Sequence, residues 1–142
     1  MKPVLDVHVI TWEAAQLDAG EAGSVLMIPF GGTVTGEIFE GIVEPCGVDT
    51  QVVNAVGVRH MSARYMLTGH AKGPYEGDCH IYVANDGWFQ GNPTFPFTTV
   101  PTFMTDHPGL AEILRRPFIG MGCKEEDGLH IRFYEAGTRE KE

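Results

Sequence analysis

The segment Val58-Arg-His-Met-Ser-Ala-Arg-Tyr-Met-Leu-Thr68 decides the fold, because it is the longest part of the chain that keeps a clean period of two. A period of two predicts a β-strand whose side chains point alternately to opposite faces of a sheet. The two faces of this strand differ in polarity: one carries Met61, Ala63, Tyr65 and Leu67, and the other carries His60, Ser62, Arg64 and Met66.

Further strands are predicted on both sides of this segment. Alternating or β-branched runs bounded by glycine, proline and polar turn residues predict strands at 4–11, 24–30, 33–43, 49–56, 58–68, 78–84, 118–124 and 129–135. Gly31-Gly32 predicts a tight hairpin, and Gly36 and Gly41 predict a bulge or sharp coiling of the kind that barrel closure requires. Asn85-Asp86-Gly87 predicts a turn after the strand at 78–84.

The region after residue 87 is less regular. Residues 88–104 are rich in aromatic residues and proline, which is typical of an irregular edge strand. Thr105 or Asp106 is predicted to cap one short helix near 107–116, with Leu110, Ile113 and Leu114 on its buried side. About eight short strands without a βαβ pattern predict an antiparallel sandwich or barrel. A barrel is favoured because it leaves no open sheet edge, so we expect an all-β fold, a single antiparallel β-barrel domain over residues 1–142.

Composition excludes several classes of function. The 142 residues are 43% hydrophobic and 20% charged, which fits one globular domain. The net charge of -9 and the scattered basic residues argue against nucleic acid as a partner. We find no apolar run that could serve as a signal peptide or cross a membrane, so a cytoplasmic protein with three free cysteines is expected. The charged end at 135–142 is expected to be a solvated tail.

Several segments occur together in the order of a known family: 31–36 (Gly-Gly-Thr-Val-Thr-Gly), 41–51, 63–67 (Ala-Arg-Tyr-Met-Leu), 81–87, and 118–135 with its Phe-Ile-Gly-Met-Gly start. The chain thereby resembles the DUF3237 family, also called UPF0311, from about residue 31 to residue 135. The resemblance implies a calycin-like or lipocalin-like β-barrel; the family is mostly without an assigned activity. Where the family usually reads Pro-Gly-Gly-Ala-Asp-Trp-Gln, residues 45–51 read Pro-Cys-Gly-Val-Asp-Thr-Gln, so the missing tryptophan at position 50 implies a changed substrate range.

Four residues are candidates for catalysis. Asp49 follows a Pro-Cys-Gly turn and is either a general base or ligand anchor at the barrel mouth, or an Asx-turn acceptor. Arg64 and Tyr65 are adjacent, so only one of them can enter the lumen. An inward Arg64 would pair with Asp49 or with a substrate carboxylate, whereas an outward one would form a surface salt bridge. In an enzyme, Asp49 would be the base, Arg64 would hold an anion or enolate, and Tyr65 or His60 would donate a proton.

Five further residues are candidates for contact with a ligand: Gln51, Tyr82, Asn85, Trp88 and Phe97. Asn85 has an alternative role as a turn residue before Asp86-Gly87. The aromatic segment at 88–103 has three alternative roles, as a lid on the cavity, as a dimer surface, or as a cover for the open end of the barrel.

No metal and no cofactor are assigned from the sequence. The six histidines lack the close spacing that usually marks a metal site, although separate strands could assemble one. The leading hypothesis is a barrel that binds a small hydrophobic organic molecule, acting as a cofactor-free isomerase, cyclase or lyase on a carbonyl or carboxylic-acid compound. The alternative is a non-catalytic carrier or protein-interaction subunit. In either case a homodimer is expected.

Overall fold

Ten antiparallel strands form one sheet in the computed structural model, which describes residues 2–137. The strands are β1 (Leu5–Thr11), β2 (Ala15–Asp18), β3 (Ser24–Gly36), β4 (Phe39–Val43), β5 (Gly47–Val53), β6 (Val58–Ala71), β7 (Asp78–Gln90), β8 (Phe97–Thr105), β9 (Phe118–Glu125) and β10 (Gly128–Glu135). One 3₁₀ turn at Gly20–Ala22 and one helix, α1 (Pro108–Leu114), complete these elements. The predicted tail beyond residue 137 lies outside the described residues.

The sheet closes on itself because β1 pairs with both β10 and β3. From β10 the order continues through β9, β8, β7 and β6. β4 and β5 share the next position, since each pairs with β3 on one side and with β6 on the other. The wall therefore has eight strand positions, while β2 adds only to the edge of β3. This architecture confirms the predicted antiparallel β-barrel with one short helix.

The hairpin predicted at Gly31-Gly32 is wrong, because β3 runs through both residues and the chain turns after Gly36 instead. At Gly32 the φ angle is 135°, and a Cβ there would overlap the carbonyl oxygen of His8 on β1. Glycine is required because β1 runs close beside β3 along the register from Thr11↔Phe30 to Leu5↔Gly36, which places Val9 opposite Gly32.

The turn predicted at Asn85-Asp86-Gly87 is also wrong. β7 continues to Gln90 and pairs with β6 along its whole length, from Val58↔Gln90 to His70↔Asp78. Local turn preference is overridden because β6 presents an unbroken row of partners. The edge strand predicted within 88–104 is instead β8, which lies between β7 and β9.

Helix α1 begins where predicted, but its cap is His107 rather than Thr105 or Asp106. Nδ1 of His107 accepts hydrogen bonds from the backbone N–H groups of Gly109 and Leu110, at 3.1 and 3.2 Å. The other ring nitrogen lies 2.8 Å from the carbonyl oxygen of Glu76, which holds the ring in place. The helix buries Leu110 and Leu114 against the barrel, and Ile113 packs partly against the same core.

One end of the barrel is filled by this apolar core, whose largest fully buried side chains are Phe39, Phe133, Leu5, Leu67, Ile81 and Leu110. Phe103 packs edge-on against both Phe118 and Phe133. Burial on this scale stabilises the fold, at roughly 1.5–3 kcal/mol for each fully buried large aliphatic or aromatic side chain. The filled end gives the barrel enough stability to leave room at the other end.

No helix within residues 2–137 combines the length and the apolar character that are needed to cross a membrane. The cytoplasmic location expected from the sequence stays a prediction.

We expect Gly69→Ala to destabilise the barrel by about 2–3 kcal/mol, towards the upper end of typical overpacking costs. Gly69 on β6 faces Gly41 on β4, and a Cβ at Gly69 would overlap the carbonyl oxygen of Glu40. The free energy of unfolding in urea measures the effect. The control is His70→Ala, which removes an exposed side chain from the next position and should cost no more than about 1 kcal/mol. Equal effects of the two substitutions would contradict this account of the close approach.

Candidate active site

The end of the barrel that the core leaves unfilled contains a cavity of about 270 Å³. Its wall is mostly apolar, and a smaller number of polar side chains reach into it. The apolar part is formed by Val9, Ile28, Phe30, Met61, Ala63, Pro93, Phe95, Phe97, Leu129 and Ile131, and the polar part by Thr11, Asp49, Gln51, Tyr65, Asn85 and Thr99. An apolar cavity with a few convergent polar groups is typical of a small-molecule site.

A row of hydrogen bonds leads from the mouth of the barrel to Asp49. Nη1 of Arg59 donates to Oε1 of Gln51 at 2.8 Å, and Nε2 of Gln51 donates to Oδ2 of Asp49 at 2.8 Å. Nη2 of Arg59 donates to Oδ1 of Asn92 at 2.8 Å, which ties the guanidinium to the loop after β7. Asp49 is therefore positioned by its neighbours on β5 and β6 and not by an Asx turn.

Three buried polar atoms in the cavity wall have no hydrogen-bond partner among residues 2–137: Oδ1 of Asp49, Oδ1 of Asn85 and Oγ1 of Thr99. A buried polar atom without a partner typically costs about 1–3 kcal/mol. Because folded proteins satisfy nearly all such atoms, three of them around one cavity need an explanation. A ligand that supplies the complementary groups would provide it.

The carboxyl group of Asp49 is tuned by its surroundings. Burial raises its pKa, and the hydrogen bond from Gln51 and the positive charge of Arg59 offset only part of that rise. The pKa of Tyr65 is also raised, first by complete burial and then by the negative charge of Asp49, so its hydroxyl stays protonated at physiological pH. The cavity thus combines a carboxyl suited to accepting and returning a proton with a neutral phenol.

Arg64 and His60 lie on the outer face of the barrel, so the predicted meeting of Arg64 with Asp49 in the lumen is wrong. Nη2 of Arg64 lies 3.1 Å from Oδ2 of Asp86, and Nε2 of His60 lies 2.9 Å from Oδ1 of the same carboxylate. Partial burial raises the pKa of Asp86, but the interactions with Arg64 and His60 outweigh that rise and lower the pKa below its usual value. The structure therefore contains the surface salt bridge that was the alternative for Arg64. A proton donor at His60 would also be outside the cavity.

The five residues expected to contact a ligand divide between the two faces. Gln51, Asn85 and Phe97 line the cavity, whereas Tyr82 and Trp88 are exposed on the outer face, where Trp88 stacks on His60 at 4.6 Å. Asn85 is therefore a buried strand residue and not a turn residue. Its partner in register is Ala63, whose side chain also lines the cavity.

Position 50 also lies away from the lumen. Its neighbours Asp49 and Gln51 both line the cavity, and side chains alternate along β5, so Thr50 belongs to the outer face. The changed substrate range that was expected from the missing tryptophan is not supported by this geometry.

Sequence reasoning missed Arg59 and Thr99. Arg59 and Tyr65 are an even number of residues apart on β6, so their side chains lie on the same face of the strand. This alternation could have placed Arg59 on the lumen side once Tyr65 was known to face inward. Thr99 lies opposite Gly120 in the pairing of β8 with β9, and a Cβ at Gly120 would overlap its Oγ1. The glycine on the neighbouring strand makes the room for this hydroxyl, but that pairing could not be read from the sequence.

Fold and cavity together define a small antiparallel β-barrel protein with an internal, mainly apolar cavity that a few polar side chains enter. The model of the family described as "Protein of unknown function (DUF3237)" matches residues 1–96. That match covers more than half of the chain, and the protein therefore belongs to the DUF3237 family.

Curated relatives and solved structures agree with this assignment. A UPF0311 protein of Clostridium acetobutylicum is 28% identical over 73% of this chain and 72% of its own, and one of Rhodopseudomonas palustris is 28% identical over 95% and 99%. A Rhodopseudomonas palustris crystal structure, of a conserved protein of unknown function, superposes with a TM-score of 0.72 at 25% identity over 93% of each chain. A structure described as an enzyme from Penicillium herquei reaches 0.66 at 15% identity, over 94% of this chain and 96% of its own, which shows the fold alone.

We expect Asp49→Asn to raise the melting temperature at neutral pH, because it removes a carboxylate whose ionisation burial opposes. The raised pKa means that folding stability declines as pH rises from about 3.9, the ordinary aspartate value, through the pKa of the folded state. The gain in the variant should therefore be small below about pH 4 and grow with pH, as thermal unfolding over a pH series would measure.

The matched control is Asp86→Asn on the outer face, for which the sign reverses. Because the pKa of Asp86 is lowered, its stabilising effect is present above about pH 4 and lost as pH falls through the folded-state value. This variant should be less stable than the wild type at pH 7. If Asp49→Asn also lowered the melting temperature at pH 7, the proposed environment of Asp49 would be refuted.

Proposed function

We propose that the barrel binds a small, neutral, mainly apolar compound with a carbonyl or hydroxyl group, and that Asp49 moves a proton on it. The observation that carries the proposal is the group of unpartnered atoms on Asp49, Asn85 and Thr99, inside an otherwise apolar cavity. The cavity of about 270 Å³ lies near the lower end of ordinary ligand pockets, which run from roughly 300 to 1,000 Å³.

The charges around the cavity favour a neutral ligand. No lysine or arginine occurs among the described residues that line it. The guanidinium of Arg59, which begins the row of hydrogen bonds that leads to Asp49, already binds Gln51 and Asn92. A carboxylate ligand would therefore meet Asp49 without a cation of its own, and that desolvated charge would be costly. Of the two compound classes expected from the sequence, carbonyl compounds fit better than carboxylic acids.

Proton transfer is the chemistry that these side chains support. Oδ1 of Asp49 would accept a proton from a carbon or hydroxyl of the ligand and return it to another atom of the same molecule. The hydroxyl groups of Thr99 and Tyr65 would donate hydrogen bonds to the ligand oxygen on which negative charge develops, and Oδ1 of Asn85 would accept one from a hydroxyl group of the ligand. Isomerisation and cyclisation need only this movement of a proton, so no electron acceptor is required. An elimination would use the same base but release part of the ligand.

The fold neighbour described as an enzyme supports a catalytic role for this barrel, since it indicates that a barrel of this shape can hold an active site. The raised pKa of Asp49 supports it independently, because a carboxyl group poised closer to neutral pH is a more effective acid–base catalyst.

A screen of enones, hydroxylated aromatic compounds and hydrophobic carboxylic acids tests the proposal, with binding measured by calorimetry and conversion by mass spectrometry. We expect saturable binding of neutral compounds and turnover of at least one of them. Asp49→Asn should reduce that turnover by about 10²–10⁴-fold while leaving Kd nearly unchanged. The control is Arg64→Ala on the outer face, which should retain full activity. Loss of turnover in Arg64→Ala with activity retained in Asp49→Asn would contradict the assignment.

A carrier or interaction subunit is the second candidate function. The outer face of β7 and β8 exposes large apolar side chains, with Trp88 and Val100 each 60% exposed and Met104 73% exposed. A surface of this kind suits contact with another protein. Saturable binding of a ligand that the wild type does not convert would favour this function. The homodimer stays a prediction.

A further inference from the structure

A cluster of potential metal ligands lies on the outer face of the barrel, where β1 pairs with β10. His8 on β1 stands directly opposite His130 on β10, and their rings stack with centroids 4.7 Å apart and planes 13° from parallel. Asp127 belongs to the turn that leads into β10. Nε2 of His130 lies 2.8 Å from Oδ1 of Asp127. Nε2 of His8 lies 2.7 Å from the backbone carbonyl oxygen of Asp127 and 4.0 Å from its Oδ2, so a bound metal ion would replace the contact with the carbonyl.

The geometry of these three residues suits a metal ion. One ligand atom from each of them lies within 4.8 Å of the other two, so small rotations of the side chains would bring all three into a single coordination sphere. Directly opposed positions on antiparallel strands hold their Cβ atoms about 4.5–5.5 Å apart, which limits how far the two imidazoles can separate. Two imidazoles and a carboxylate are ligands that divalent zinc accepts.

The ring of His130 is oriented in the manner of a metal ligand. Its Nδ1 lies 2.7 Å from Oδ1 of Asp6, which turns Nε2 towards the carboxylate of Asp127. Asp6 is itself held by Arg132, whose Nε donates to Oδ2 at 3.1 Å, and Arg132 in turn binds Glu125. A carboxylate behind a histidine of this kind fixes the ring and makes it a stronger ligand.

We propose that His8, His130 and Asp127 bind a divalent transition-metal ion of the zinc class, with water completing the coordination. The site would join β1 to β10, since His8 lies on β1 and His130 lies opposite it on β10. A metal bound there would hold the first and last strands of the barrel together and stabilise the folded state by mass action. Its residues are separate from Asp49 and the cavity, so the proposal does not depend on the proposed function.

Two other histidines provide controls. His80 pairs with Asp106 at 2.8 Å and His70 pairs with Glu40 at 3.0 Å, but neither pair belongs to a cluster of three potential ligands within the described residues. The exposed Cys46 is the competing soft ligand. Its thiolate would give a bound cobalt ion an intense charge-transfer band that imidazole and carboxylate ligands lack.

The test is calorimetric titration of the untagged, chelator-treated full chain with zinc chloride at pH 8, together with the absorption spectrum of the cobalt-substituted protein. We expect one ion per chain, a cobalt spectrum without a thiolate band, and zinc affinity that falls by at least about tenfold in His8→Gln and in Asp127→Asn. Asp127→Asn replaces the Asp-Gly pair of this turn by Asn-Gly, which suits the same tight turns, so it should keep the fold. His80→Gln and Cys46→Ser should bind zinc as the wild type does.

Thermal unfolding provides the second readout. Zinc should raise the melting temperature of the wild type and should leave that of the His8→Gln, Asp127→Asn double variant unchanged. Failure of the wild type to bind zinc, unchanged affinity in both single variants, or loss of binding in Cys46→Ser would overturn the proposal. Each of these results would leave the function proposed for the cavity untouched.

Discussion

The burial of the Asp49 carboxyl group in an apolar barrel is the constraint on which the account of this protein depends. A carboxyl group in such a place opposes folding when it is ionised, and only the hydrogen bond from Gln51 and the more distant charge of Arg59 offset that cost. The opposite end of the barrel makes this arrangement tolerable. There Phe39 and Phe133, with Leu110 and Leu114 of α1, form a buried core.

This division of the barrel connects stability with function. Unpartnered polar atoms and an unfilled volume lie together at one end, where they cost stability and have a use only if a guest enters. Close backbone approaches at Gly32, Gly41 and Gly69 draw the strands into a closed wall around both ends. The outer face carries its own charge networks, around Asp86 on one side of the barrel and around Asp6 on another.

Much of the fold could be predicted from the sequence, because the period of two marks strands independently of their partners. β6, β9 and β10 were predicted within a few residues, and so was the short helix. The failures occurred where pairing overrode local signals. Gly31-Gly32 and Asn85-Asp86-Gly87 have the composition of turns. Each nevertheless lies inside a long strand that stays paired with a neighbouring strand both before and after these residues.

The candidate site was predicted only in part, because the sequence does not show which face of each strand points into the barrel. Alternation separates Arg64 from Tyr65 but does not reveal which of them faces inward, because the more apolar face of β6 also carries Arg59. Asp49, Gln51, Tyr65, Asn85 and Phe97 were placed in the lumen by barrel closure, whereas His60, Arg64, Tyr82 and Trp88 were placed outside. Closure brings Arg59 and Thr99 to the same end from different strands, which no local pattern signals.

The most direct measurement is the pH titration of the Asp49 carboxyl carbon by NMR in the folded protein, with Asp86 as the internal reference. We expect the pKa of Asp49 to lie above the ordinary aspartate value of about 3.9 and that of Asp86 to lie below it. A midpoint for Asp49 at or below the ordinary value would mean that its carboxyl group is well solvated or firmly paired. The cavity would then lack the acid–base group on which the proposed chemistry rests.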